Sequence, residues 1–188
     1  MSSFWDSEPW HAYERAYGDA PGTRAKLLAE ANWSTRVLDL TQDEAALWRG
    51  VRGSYHNIVN RLMNDTSFQI VDVFPEMLLF ECRQLQDRVA PDETRSIESW
   101  QVQAEWLESG IGYCLGALRD GRLVAFVYAI RHGAWGYYGY GKTEEPNAHH
   151  ALVWALIKRL KTGGIRWFEL GWQNETRDAK GKDIEFFK

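Results

Sequence analysis

The chain lacks an excess of basic charge, is poor in cysteine and has no long apolar run, and each shortage removes a class of protein. A formal net charge of −4 over 188 residues argues against a globally basic nucleic-acid binder and leaves only local basic patches. The two cysteines, Cys82 and Cys114, show no CxxC or CxxH spacing, so no metal site is expected. Thiols this sparse suit a reducing compartment. No segment approaches the roughly 18 apolar residues of a membrane-spanning helix. The opening residues Met1-Ser2-Ser3-Phe4-Trp5-Asp6 have neither the basic stretch nor the apolar core of a secretion signal, so a cytoplasmic location is expected. Internal repeats and low-complexity tracts are lacking too.

What is present is apolar and aromatic. Ten Trp, eight Tyr and eight Phe can bury large areas, or line a groove for sugars, bases or acyl chains. The length fits one ordinary domain with an accessory segment. A short helix is expected over 7–17, capped by Ser7 and stopped by Gly18, and a weaker one over 23–33. Trp33 to Leu40 reads as a strand. Thr41-Gln42-Asp43-Glu44 has the form of a capping box, with Thr41 capping a helix that runs to about Met63 and Glu44 reaching back. Gly50 and Gly53 weaken that helix, and Arg49, Arg52, His56 and Arg61 make one flank basic.

Residues 67–73 read as a strand, and 75–89 and 96–108 as two helices, the first with Pro75 in its opening turn. Residues 111–118 and 122–131 form a hairpin around the turn Asp120-Gly121, and 134–140 a third strand. A loop over 141–147 leads into a helix through Lys161, whose apolar stripe includes Leu152, Leu156 and Leu160. Gly163-Gly164 ends it. The strand over 165–171 follows a helical crossover and should therefore be parallel to its neighbour. The fold class is α/β (α+β), a mixed central sheet flanked by helices in the order β-α-α-β-β-β-α-β, preceded by an N-terminal helical segment.

Two stretches carry a resemblance. The first is Val37-Leu38-Asp39-Leu40-Thr41, then Trp48 and Arg52-Gly53-Ser54-Tyr55-His56-Asn57-Ile58. The second runs from Gly121-Arg122-Leu123-Val124-Ala125 through Tyr137-Tyr138-Gly139 and Ala151-Leu152-Val153-Trp154-Ala155-Leu156-Ile157. It continues with Gly164-Ile165-Arg166-Trp167-Phe168-Glu169-Leu170-Gly171, Lys180-Gly181-Lys182 and Phe187-Lys188. In order and spacing they resemble the FemABX-like branch of the GNAT acyltransferase superfamily. His56 stands where an arginine is more usual. The family carries two GNAT-like halves and this chain has room for one. Residues 1–40 are therefore expected to be an accessory remnant of a first half, and 41–188 the acyltransferase domain.

The resemblance implies acyl or aminoacyl transfer to an amine of a cell-envelope precursor or nucleotide sugar. The donor would be aminoacyl-tRNA, acyl-CoA or an acyl-carrier protein, with no tightly bound cofactor. It also implies a split between strands 134–140 and 165–171, where backbone N–H groups meet the donor. Gly139 and Gly141 permit the close approach this needs.

Glu169, a carboxylate in an apolar strand, and His149, at a helix start where the dipole disfavours its charged form, are the catalytic candidates. Arg52, His56, Tyr138, Tyr140, Lys142, Trp172, Lys182 and Lys188 are the candidates for binding substrate. The loop 141–148 carries Glu144 and Glu145 and no glycine after Gly141, a poor cradle for a CoA pyrophosphate. Lys158, Arg159, Lys161 and Arg166 form a local basic patch that could meet tRNA and that also fits an ordinary solvated face. The alternative to an enzyme is a non-catalytic module of this fold that binds a ligand or partner. Separately, a homo-oligomer could complete the sheet.

Overall fold

The computed structural model describes residues 33–93 and 95–174; the helices expected over 7–17 and 23–33, with Lys182 and Lys188, lie outside them. Six strands form one sheet in the order β1-β6-β5-β4-β3-β2. They are β1 (Trp33–Asp39), β2 (Phe68–Asp72), β3 (Gly112–Arg119), β4 (Arg122–His132), β5 (Trp135–Thr143) and β6 (Trp167–Asn174). β5 and β6 are parallel and every other neighbouring pair is antiparallel. From β2 onward the order β-α-α-β-β-β-α-β is the one the sequence predicts. Trp33–Asp39, grouped above with the accessory segment, is an edge strand of this same sheet.

The helix expected from Thr41 to Met63 is two helices, α1 (Glu44–Gly50) and α2 (Gly53–Met63). Val51 and Arg52 between them are extended, with ψ of 139° and 129°. The N-cap of α1 is Asp43, whose carboxylate accepts the N–H of Ala46 at 2.6 Å. Thr41 is not the cap because its own N–H and hydroxyl both donate to Asp39 Oδ1, at 3.0 and 2.6 Å. The joint between α1 and α2 is closed by His56, which stacks on Trp48 at 4.4 Å and donates from Nε2 to the Trp48 carbonyl at 3.0 Å.

Residues 75–89 form one helical run, α3. It opens at Pro75–Met77, passes through a π turn at Leu78–Cys82 and continues as Arg83–Val89. α4 (Ile97–Glu108) is capped by Ser96, and α5 (Ala148–Thr162) begins after Asn147, whose φ is +71°. The sheet separates two cores. On one face Ala125, Val127 and Ala129 of β4 lie under α5, which also packs against α2. On the other face Phe126, Tyr128 and Ile130 alternate with them and meet Leu78, Leu85 and Trp100 of α3 and α4. Small residues on one side and aromatics on the other follow from the two-residue period of a strand buried on both faces. At the β3–β4 hairpin Asp120 and Gly121 both have positive φ, at 50° and 79°, as a two-residue turn of matching twist requires.

Candidate functional site at the split between β5 and β6

The parallel ladder between β5 and β6 is short. It holds Trp135 to Trp167, Gly136 to Phe168 and Tyr137 to Glu169. Beyond Tyr137 each strand follows its other neighbour, β5 staying with β4 as far as Thr143 and β6 with β1 as far as Asn174. Both strands carry an irregularity where they diverge. On β5, Tyr138 and Tyr140 face consecutive residues of β4, so Gly139 is an extra residue. On β6 the register against β1 slips between Glu169 and Trp172. Gly171 sits there with φ of +80°, a conformation that favours glycine. Bulges bend the strands that carry them, and a bulge in each strand at the same level opens the sheet into a V.

The predicted site residues fall on two faces of this opening. Glu169 is buried, 4% exposed, on the α3–α4 face beside Tyr137. Burial, and then the Glu169 carboxylate, push the Tyr137 phenol well above its ordinary range, so it remains protonated. Tyr138 and His149 are on the α5 face, ring against ring, with Tyr138 Oη 3.4 Å from His149 Nε2. Burial, and then His150, push the His149 pKa down to about 4, so its imidazole is neutral at pH 7. The Tyr138 phenol is pushed up, chiefly by burial. Glu169 and His149 therefore lie on opposite faces of the sheet.

Tyr140 points the other way from Tyr138. It packs on Trp100, Phe126 and Tyr128 in the α3–α4 core, because the extra residue Gly139 resets the alternation. Lys142 is on that face too, and its ammonium pairs with Glu93 at 2.5 Å. His56 and Arg52 are at the α1–α2 joint, where the His56 Nε2 hydrogen bond is spent on Trp48. Trp172 is on β6 beyond its ladder with β5, next to Gly171.

β5 runs to Thr143, so the loop before α5 is shorter than expected. Its two acids turn inward to ion pairs, Glu144 with Arg88 and Arg122, and Glu145 with Arg119. The N–H groups of Ala148 and His150 at the start of α5 go to Glu145 and Asn147 carbonyls. A pyrophosphate cradle needs free N–H groups at a helix start, and here local turns and carboxylates occupy the place. Sequence reasoning did not identify Arg95, whose guanidinium lies 3.7 Å from the centre of the Tyr140 ring. No local spacing links the two, since the contact depends on the tertiary placement of the α3–α4 loop.

Two open grooves, each of about 390 Å³, lie elsewhere. One runs along the β1 edge between Val37 and Leu47, the other along the β2 edge between Ile70 and Arg159.

No family model matches the sequence, and no curated protein matches it in sequence. Solved structures match in fold. FemX superposes with a TM-score of 0.65 at 11% identity, over 84% of this chain and 62% of FemX. The structure of L-PGS from Bacillus licheniformis gives 0.55 at 14%, over 82% of this chain and 52% of that one. A GCN5-related glucosamine N-acetyltransferase region within a fungal multi-domain GH3 β-N-acetylglucosaminidase gives 0.54 at 14%, over 90% and 22%. The chain thus shares the fold of FemX and of the GCN5-related N-acetyltransferase region, and it spans 62% of the length of FemX. Among the described residues, no helix is long and apolar enough to cross a membrane.

Proposed function

We propose that the chain is an N-acyltransferase that forms an amide on an amine, acting at the split between β5 and β6. The observation that carries this reading is the pair of bulges, at Gly139 and at Leu170–Gly171. They separate β5 from β6, whose parallel ladder runs as far as Tyr137 and Glu169. A splayed strand offers backbone N–H groups that a donor carbonyl can take up as its oxygen becomes anionic. Glu169 at the closed end takes the proton from the attacking amine. The amine nitrogen bonds to the donor carbonyl carbon, and the ester or thioester bond to the leaving group breaks.

The ion-paired loop before α5 supports a donor that does not rest a pyrophosphate there. Aminoacyl-tRNA fits that condition, and acyl-carrier protein and acyl-CoA remain the thioester donors to compare. The acceptor class that goes with the fold resemblance is an amine on a cell-envelope precursor or nucleotide sugar, met in the cytoplasm. The test is incubation of the purified protein with each of the three donors and a panel of amines. Amide product with one donor class is expected, and no product with all three overturns the reading.

A second reading, a non-catalytic module that binds a ligand or partner, is favoured by one observation. Glu169 and His149, the two groups suited to move a proton, lie on opposite faces of the sheet. Ligand binding without turnover in the same assay would select it.

A further inference from the structure

We propose that Arg95, laid flat on the ring of Tyr140, is an anion-recognition site that selects amine acceptors carrying a carboxylate or phosphate. That the ligand is an acceptor rests on the transferase reading above; the anion site itself does not. Glu93, two residues before Arg95, is tied to α3 and to β5. Gln86, 1% exposed, donates from Nε2 to the Glu93 carbonyl at 2.7 Å. The Glu93 carboxylate meets Lys142 of β5 at 2.5 Å. Ser96 then caps α4.

Arg95 differs from the cations around it. Arg88 and Arg122 share Glu144, Arg119 has Glu145 and Asp65, and Lys142 has Glu93. Arg95 has no carboxylate partner among the described residues. Its Cζ lies instead over the Tyr140 ring, 3.7 Å from the centroid. A guanidinium stacked by its face keeps the N–H groups of its edge in one plane, the arrangement that meets a carboxylate or phosphate through paired hydrogen bonds. Ordering a long side chain without an ion-pair partner costs entropy, and a ligand anion would offset that cost.

The ring under Arg95 carries a second polar group. The Tyr140 hydroxyl is buried and has no hydrogen-bond partner among the described residues. Buried polar atoms are seldom left so.

The position suits an acceptor. Tyr140 lies on the same face of β5 as Tyr137, and Glu169 stands beside Tyr137. Tyr137 and Tyr140 face Ile130 and Tyr128 of β4, two residue rises apart, or about 7 Å along the strand. An amine at Glu169 and an anion at Arg95 are then the two ends of one small molecule lying along β5 beyond its ladder with β6.

The experiment is calorimetric titration of the full chain and its Arg95→Gln and Arg95→Lys variants with two pairs of amines. One pair is glucosamine phosphate against glucosamine. The other is a long ω-amino acid against the amino alcohol of equal length. The unaltered protein should bind the anionic member of at least one pair about tenfold tighter. Arg95→Gln should bring the members of that pair to within about twofold, with Arg95→Lys between the two. A preference confined to one pair identifies phosphate or carboxylate as the ligand group. Equal binding within both pairs, no binding at all, or a preference that survives Arg95→Gln overturns the proposal. Selective binding without acyl transfer would sink the transferase reading and leave this site standing. Transfer without selectivity would do the reverse.

Discussion

The carboxylate of Glu169 stands beside the phenol of Tyr137 at the last rung joining β5 to β6, with Val37 of β1 on its other side. Burying a carboxylate to 4% exposure in an apolar strand carries a cost in stability. Its place at the point where the strands diverge suits it for chemistry. Glu169→Gln keeps the shape and removes the base. If Glu169 takes the amine proton, kcat should fall about 10²–10³-fold with KM little changed. The melting temperature should hold or rise, since a buried charge is removed. A folded Glu169→Gln protein with an unchanged rate would make Glu169 a structural residue.

Gly141 tests how closely the α5 face is packed against the split. A Cβ added there would come within 2.6 Å of Tyr138 Oη, 2.8 Å of the Phe126 carbonyl and 3.0 Å of the Val127 side chain. The phenol could swing aside, but the carbonyl belongs to the β4 ladder. Gly141→Ala should therefore cost about 1–3 kcal/mol, read as a lower urea midpoint at constant slope. It should also displace Tyr138 from His149. Gly121→Ala at the hairpin meets no atom within 4 Å, so its cost is backbone strain alone, about 1 kcal/mol.

The order of elements was legible because it rests on local signals: alternation in the strands, the Asp120-Gly121 turn, and the Gly163-Gly164 stop. The failures have local and distant causes. Thr41 has the form of a cap, but Asp39 two residues earlier takes its hydroxyl and leaves the role to Asp43. The break at Val51–Arg52 is stabilised by His56 reaching back to Trp48, a contact no propensity scale contains. Strict alternation would put Tyr138 and Tyr140, both candidates for binding substrate, on one face. The bulge at Gly139, set by pairing with β4, sends them to opposite cores. The Glu144 and Glu145 carboxylates read as repelling an anion. Their arginine partners come from α3, β3 and β4, far away in the chain.

Arg119 ties the start of α5 to the β2 edge, because it holds Glu145 and, at 2.5 Å, Asp65. The Asp65 carboxyl is held down to about 2, first by hydrogen bonds from the Ser67 hydroxyl and N–H, and then by Arg119. A carboxyl with a lowered folded pKa contributes stability above its ordinary value of 3.8, and that contribution is lost as pH falls through about 2. In Arg119→Gln the pKa should rise only some of the way back, because the Ser67 bonds remain. A 13C titration of the Asp65 carboxyl would check this, and a return all the way to the ordinary value would mean the arginine, not the serine, sets it.

His149 provides the pH dependence on the other face of the split. Its folded pKa of about 4 lies below the ordinary 6.5, so between these values the folded chain binds fewer protons than the unfolded one. Its neutral form therefore contributes in full above about 6.5, and the contribution is lost as pH falls toward about 4. The groups that face it are Tyr138, which is uncharged, and His150, which stacks on Tyr55 at 4.0 Å. Because the imidazole is partly exposed, about 2 kcal/mol is a fitting size for the loss. Urea unfolding at pH 7 and pH 4.5 should show a drop in stability that is smaller by about this amount in His149→Gln. The His149 ring proton should show no titration between pH 6 and 7 by NMR. A midpoint near 6.5 would mean that water reaches the ring freely, and the Tyr138–His149 pair would then be an exposed contact rather than a wall of the split.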